Sequence, residues 1–162
     1  MAVTTANLRD VSPGAVFAVL EDGWSYGAWV VGTKEIRQVD ATWPRQGSCL
    51  HYTVGVGPIS FGDVTEVKAL EPPGGMVLEA RGWPAGTVGI RLTVEPTQGG
   101  TRVVMREEPE RGLARWLHNP AFDLFVKIRN REALRRLGRA ARRIGEPERG
   151  PAHQPARDRS AS

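Results

Sequence analysis

Between Asn119 and Ile144 the apolar side chains recur with the period of an α-helix. Stepping about 100° per residue from Leu137, the residues Phe122, Val126, Ala133, Leu134, Ala140, Ala141 and Ile144 fall within about 60° of it. Arg131, Arg135, Arg139 and Arg142 fall on the opposite side. A stripe this wide predicts a long helix packed on a core, where each large apolar side chain contributes roughly 1.5–3 kcal/mol on burial. One polar residue, Asn130, interrupts the stripe near its centre. Its amide is satisfied either by a neighbouring strand or ordered water, or by a ligand.

Upstream the pattern is different. Ala2–Arg9 reads as a first strand, and Ser12-Pro13 then supplies an N-cap hydroxyl and a first-turn proline for a short helix carrying Val16, Phe17, Val19 and Leu20. Asp22-Gly23 restarts the chain into a second short helix crowded with Trp24, Tyr26, Trp29 and Val30, an aromatic surface that needs either core or ligand against it. From Thr33 the apolar period drops to two. Strands are expected at 34–39, 48–56, 59–70, 76–83, 87–95 and 101–108, separated by Trp43-Pro44 to Gly47, Gly57-Pro58, Pro72-Pro73-Gly74-Gly75, Pro84 to Gly86 and Gln98-Gly99-Gly100. Val88, Ile90, Leu92 and Val94 share one face of the fifth of these, and Thr101, Val103, Met105 and Glu107 share one face of the last. The order is strand, two short helices, six strands and a long terminal helix. It predicts an α+β domain with helices on one side of an antiparallel sheet.

Composition narrows the class. A chain of 162 residues with 40% hydrophobic positions suits one domain, placed at residues 1–144, followed by a basic tail at 145–162 with the Pro, Gly, Arg, Glu and Ser content of disorder. The net charge of +4 is unevenly distributed: residues 1–126 hold 11 Lys/Arg against 14 Asp/Glu, whereas residues 127–162 hold 11 against 4. Basicity of this kind is the solvent face of one helix and its tail, and it argues against nucleic acid as the partner. Cys49 is the only cysteine and there is no long apolar run. These features predict a cytoplasmic protein with no stable membrane insertion, as a monomer or homodimer.

Several stretches together resemble the START-like superfamily, also called SRPBCC, and within it the bacterial polyketide cyclase/dehydrase-type proteins. They are Ser12-Pro13-Gly14-Ala15-Val16-Phe17, Trp24 through Trp29-Val30, Gly47 before Leu50-His51-Tyr52, Glu71-Pro72-Pro73, Gly100-Thr101-Arg102-Val103 and Asn130-Arg131-Glu132-Ala133-Leu134. The resemblance covers about residues 2–144. It implies a helix-grip fold, in which a seven-stranded antiparallel curved sheet wraps a long C-terminal helix around a cavity for an apolar ligand. Members of the superfamily include carriers, receptors, cyclases and hydrolases, so the fold does not fix a reaction.

Motifs for chemistry are sparse. Cys49 and His51 share a strand face, but two ligands do not make a zinc site, and alternation turns them to solvent if Leu50, Tyr52 and Val54 point inward. No metal or cofactor is expected, and no Gly-x-Ser-x-Gly turn, dinucleotide fingerprint or phosphate loop occurs. The expectation is therefore a binder of a hydrophobic small molecule, whether lipid, aromatic or polyketide-like. Its contacts would come from Trp24, Trp29, Tyr52, Phe61, Trp83, Met105, Trp116, Phe122, Val126 and Asn130. The alternative is an aromatase/cyclase or dehydratase in which Asp63 and Glu107 act as general acid and base, since burial raises a carboxyl pKa. A third reading gives the basic outer helix face an acidic protein partner.

Overall fold

The computed structural model describes residues 1–82, 86–111 and 120–145. Seven strands form one antiparallel sheet: β1 (Ala2–Arg9), β2 (Thr33–Val39), β3 (Cys49–Val56), β4 (Ile59–Glu71), β5 (Gly75–Gly82), β6 (Gly86–Thr97) and β7 (Gly100–Arg111). Their spatial order is β1-β7-β6-β5-β4-β3-β2. From β3 to β7 each strand lies beside its predecessor in sequence, and β1 closes the far edge by pairing Ala2 with Glu107 and Leu8 with Thr101. Helices α1 (Pro13–Glu21), α2 (Tyr26–Trp29) and α3 (Pro120–Gly145) complete the element order expected from the residue pattern.

Local chemistry sets the helix starts. Ser12 Oγ accepts from Ala15 N at 3.1 Å, with Pro13 in the first turn. Asp22 Oδ1 accepts from Trp24 N at 3.0 Å and begins a 3-10 turn, Gly23–Ser25, before α2, so the second predicted helix is split in two. In α3, Asp123 in the first turn and Arg142 and Arg143 in the last complement the helix dipole.

The final two strands run further than their apolar alternation suggested, β6 through Pro96 and β7 through Pro109. Each proline lies beyond the end of the neighbour on its outer side. The pairing of β5 with β6 stops at Thr93, and that of β1 with β7 stops at Glu107. Neither proline therefore deprives a central ladder of a donor. Elsewhere the observed ends lie within one residue of expectation, apart from Trp83, which falls outside the described residues.

The core lies between the concave face of the sheet and the helices. Leu50, Val67, Leu78, Leu92 and Val103 project from the strands, Val16, Val19 and Leu20 from α1, and Leu134, Leu137 and Ala141 from α3. One expectation needs correction. Ile144 lies on the apolar stripe but is 55% exposed, because α3 continues one turn past the last core residue it meets, Ala141. Residues 146–162, expected to form a disordered tail, lie outside the described residues.

Candidate ligand-binding site

Alternation along β4 turns Ile59, Phe61, Asp63, Thr65 and Val67 toward the concave side. Their exposure falls along that line from 61% at Ile59 and 39% at Phe61 to 0% at Thr65 and Val67. The concave face thus runs from an open rim to a closed floor, and Asp63 stands between them. The register places Asp63 opposite Gly82, Gly82 opposite Gly86 and Thr87 opposite Arg111, so β7 ends at the same rim.

At mid-depth a chain of hydroxyls crosses the apolar wall. Tyr26 Oη and Thr65 Oγ1 are 3.3 Å apart, Thr65 Oγ1 and Tyr52 Oη 3.2 Å, and Tyr52 Oη donates to Asp63 Oδ2 at 2.8 Å. The rings of Tyr26 and Tyr52 pack 5.3 Å apart at a tilt, and Trp29 meets Tyr26 edge-on at 5.2 Å. Asp63 also accepts from Val64 N at 2.6 Å. Burial nevertheless pushes its carboxyl above the ordinary range, and the hydrogen bonds from Tyr52 and from the Val64 and Arg81 backbone offset this only in part. Burial likewise raises both phenols, with Thr65 partly opposing the shift, so Tyr26 and Tyr52 stay protonated donors.

A second polar group faces the interior from α3. Arg129 Nη2 donates to Glu107 Oε1 on β7 at 2.5 Å, and the same guanidinium donates to Asn130 Oδ1 through Nε at 3.2 Å and Nη2 at 3.1 Å. Asn130 is 1% exposed, and its Nδ2 has no partner among the described residues. On neighbouring β1 the buried Thr4 Oγ1 is also without one. Glu107 is held as half of an ion pair, whereas among the described residues the carboxylate of Asp63 carries only hydrogen bonds.

The other expected contacts divide plainly. Tyr52, Met105 and Trp29 are buried in the interior and Val126 is half-buried on α3. Phe61 sits at the rim. Trp24 is 61% exposed, outside the buried set: the Asp22-capped turn starts at Gly23, and it is the buried Tyr26 and Trp29 that follow it inward. Trp83 and Trp116 lie outside the described residues, and so does the side chain of Phe122. Cys49 and His51 take the convex face as alternation required. Among the described residues no three His, Cys, Asp or Glu side chains cluster as metal ligands. No described helix is long and apolar enough to cross a membrane.

Sequence reasoning missed two participants, Tyr26 and Arg129. In the sequence Tyr26 reads only as aromatic bulk, and Arg129 stands at the margin of the α3 stripe, where an arginine ordinarily faces water.

A family model described as polyketide cyclase/dehydrase and lipid transport matches residues 2–142. The chain belongs to that family. Among curated proteins none matches its sequence. Solved structures share the family's helix-grip, Bet v 1-like fold at low identity. A Rhodobacter sphaeroides protein is 19% identical with a TM-score of 0.67, over 86% of this chain and 90% of that one. A Staphylococcus aureus protein of unknown function is 12% identical with a TM-score of 0.66, over 90% and 96%. Ara h 8.0201 is 13% identical with a TM-score of 0.63, over 88% and 99%. At these identities the likeness establishes the fold, and the family description is consistent with hydrophobic ligand binding.

Proposed function

We propose that the protein holds a hydrophobic small molecule, lipid, aromatic or polyketide-like, between the curved sheet and α3. The observation that carries this reading is the hydroxyl chain from Tyr26 through Thr65 and Tyr52 to Asp63, set into the largely apolar concave wall just below its exposed rim. An apolar recess with a few fixed polar groups is the usual composition of a small-molecule site. Trp29, Met105 and Val126 supply apolar wall, Phe61 the rim, and Tyr52, Asp63 and Asn130 orient polar atoms. Trp83, Trp116 and Phe122 remain candidates for the same wall. The unpaired Cys49 fits a reducing cytoplasm as the place of action.

One observation favours a second reading, catalysis. Asp63 combines a raised pKa with a phenol donor 2.8 Å away. In a β-hydroxy ketone an α-proton would pass to Asp63 and return to the β-hydroxyl, which departs as water. Glu107, tied to Arg129, would position the ligand.

The test is native mass spectrometry of gently purified protein, followed by thermal shift against a panel of lipids and polycyclic aromatics. A co-purifying small molecule, or a shift of several degrees with a panel member, is expected. A protein that carries no bound species and responds to no member of the panel does not have this function. Turnover retained in Asp63→Asn would remove Asp63 from the chemistry.

A further inference from the structure

Asn130 is the one amide on the inward face of α3, and its orientation is fixed by its neighbour. Two N–H groups of Arg129 point at Oδ1, so the NH2 arm must be the free end. That arm is buried and, among the described residues, unpartnered. A leucine there would continue the stripe at almost the same volume, so the stripe itself gives no reason for an unsatisfied donor.

Charge narrows what can satisfy it. Arg129 already gives Nη2 to Glu107, which is itself buried. The second carboxylate, Asp63, lies across the interior, and the fields of Asp63 and Arg129 both reach the phenol of Tyr26. Among the described residues facing the interior, the single cation is therefore matched and two acidic groups are present. An anionic ligand headgroup entering here would lose its hydration and, among the described residues, meet no uncommitted positive charge. A neutral acceptor oxygen needs only the N–H that Asn130 offers.

We propose that the ligand is a neutral molecule bearing a carbonyl oxygen, that this oxygen accepts from Asn130 Nδ2, and that the site rejects the carboxylate of the same skeleton. Arg129 is then a positioning residue, holding the amide so that its donor points inward. The inference rests on the small-molecule reading above and adds the ligand's charge and functional group. The competing account is a buried water bridging Asn130 Nδ2 and Thr4 Oγ1, two of the buried polar atoms without a partner among the described residues.

Nile red, a neutral dye, serves as reporter, displaced at pH 8 by 2-acetylnaphthalene, 2-ethylnaphthalene or 2-naphthoate. The ketone is expected to displace the dye at about ten-fold lower concentration than either the hydrocarbon or the carboxylate, a ratio equal to one net hydrogen bond of about 1.4 kcal/mol. Asn130→Leu should still bind Nile red while the ketone's advantage over the hydrocarbon disappears. Asn130→Asp, which keeps the shape but loses the donor, should also lose that advantage. Equal displacement by ketone and carboxylate, or a ketone preference that survives in both variants, overturns the proposal and assigns the amide to a bound water. Failure of the wild-type protein to bind Nile red defeats the small-molecule reading and this inference together. Dye binding without ketone preference defeats this inference alone.

Discussion

Arg129 links α3 to the sheet by donating to Glu107 across 2.5 Å, with the carboxylate almost wholly buried and the arginine side chain 36% exposed. The pair ties the helix to β7 beside the strand partner Ala2, the first residue of the edge strand. Its value lies less in attraction than in what its loss would expose. A buried carboxylate left without its cation is costly, about 3–5 kcal/mol where both partners are fully buried, and the partial exposure of Arg129 lowers this to about 1–3 kcal/mol.

The first prediction is an asymmetry. Arg129→Met should destabilise by about 1–3 kcal/mol in urea unfolding, because it strands Glu107 and leaves Asn130 Oδ1 without its donors. Glu107→Gln should cost about 1 kcal/mol, and the double variant Arg129→Met/Glu107→Gln should lose clearly less than the two single effects combined. Strict additivity of the two single effects would show that the residues do not act as a pair.

Much of this arrangement was written in local sequence, and the part that was not has a physical reason. Ser12 and Asp22 act within three residues of themselves, so their caps were readable. Alternation alone put Tyr52, Asp63, Thr65 and Glu107 on the inward face. The pairing of Glu107 with Arg129, 22 residues on, depends on where a helix crosses a sheet, and no periodicity encodes that. Tyr26 reaches Thr65 across 39 residues for the same reason. Ile144 shows the converse error: the stripe records which side of α3 is apolar, but the length of the core it meets is a tertiary property. Trp24 has the composition of an interior residue and an exposed position, because a capping turn sets direction regardless of side-chain type.

The second prediction concerns pH. Burial raises the Asp63 carboxyl above its ordinary 3.8, so the folded protein binds that proton more tightly than the unfolded chain. The stability this contributes is fully present below the unfolded value and is lost as pH rises through the folded one. Asp63→Asn should consequently melt slightly above the wild type at pH 8, by no more than about 3 °C given the group's partial exposure, and lose that advantage near pH 3. A wild-type protein that weakens on acidification relative to Asp63→Asn would mean that the bonds from Tyr52, Val64 and Arg81 outweigh burial.

The third prediction tests how closely α3 approaches the edge strand. Gly138 faces Leu8 of β1, and a Cβ at that position would stand 2.6 Å from Leu8 Cδ2 and 3.4 Å from Cδ1. Leu8 is itself buried, so its methyls cannot swing into water. Alanine in a helix interior ordinarily gains about 1 kcal/mol over glycine, but overpacking costs about 1–3 kcal/mol. Gly138→Ala should therefore destabilise by about 1 kcal/mol net, lowering the melting temperature by about 2–4 °C. Leu8→Ala alone should cost about 2–5 kcal/mol by opening a cavity, and adding Gly138→Ala to it should restore about 1 kcal/mol by partly filling the space. Chemical denaturation of the four proteins measures the coupling. A value near zero would mean that α3 lifts from β1 to accept the methyl, and the helix would then have enough freedom to move against the sheet when a ligand enters.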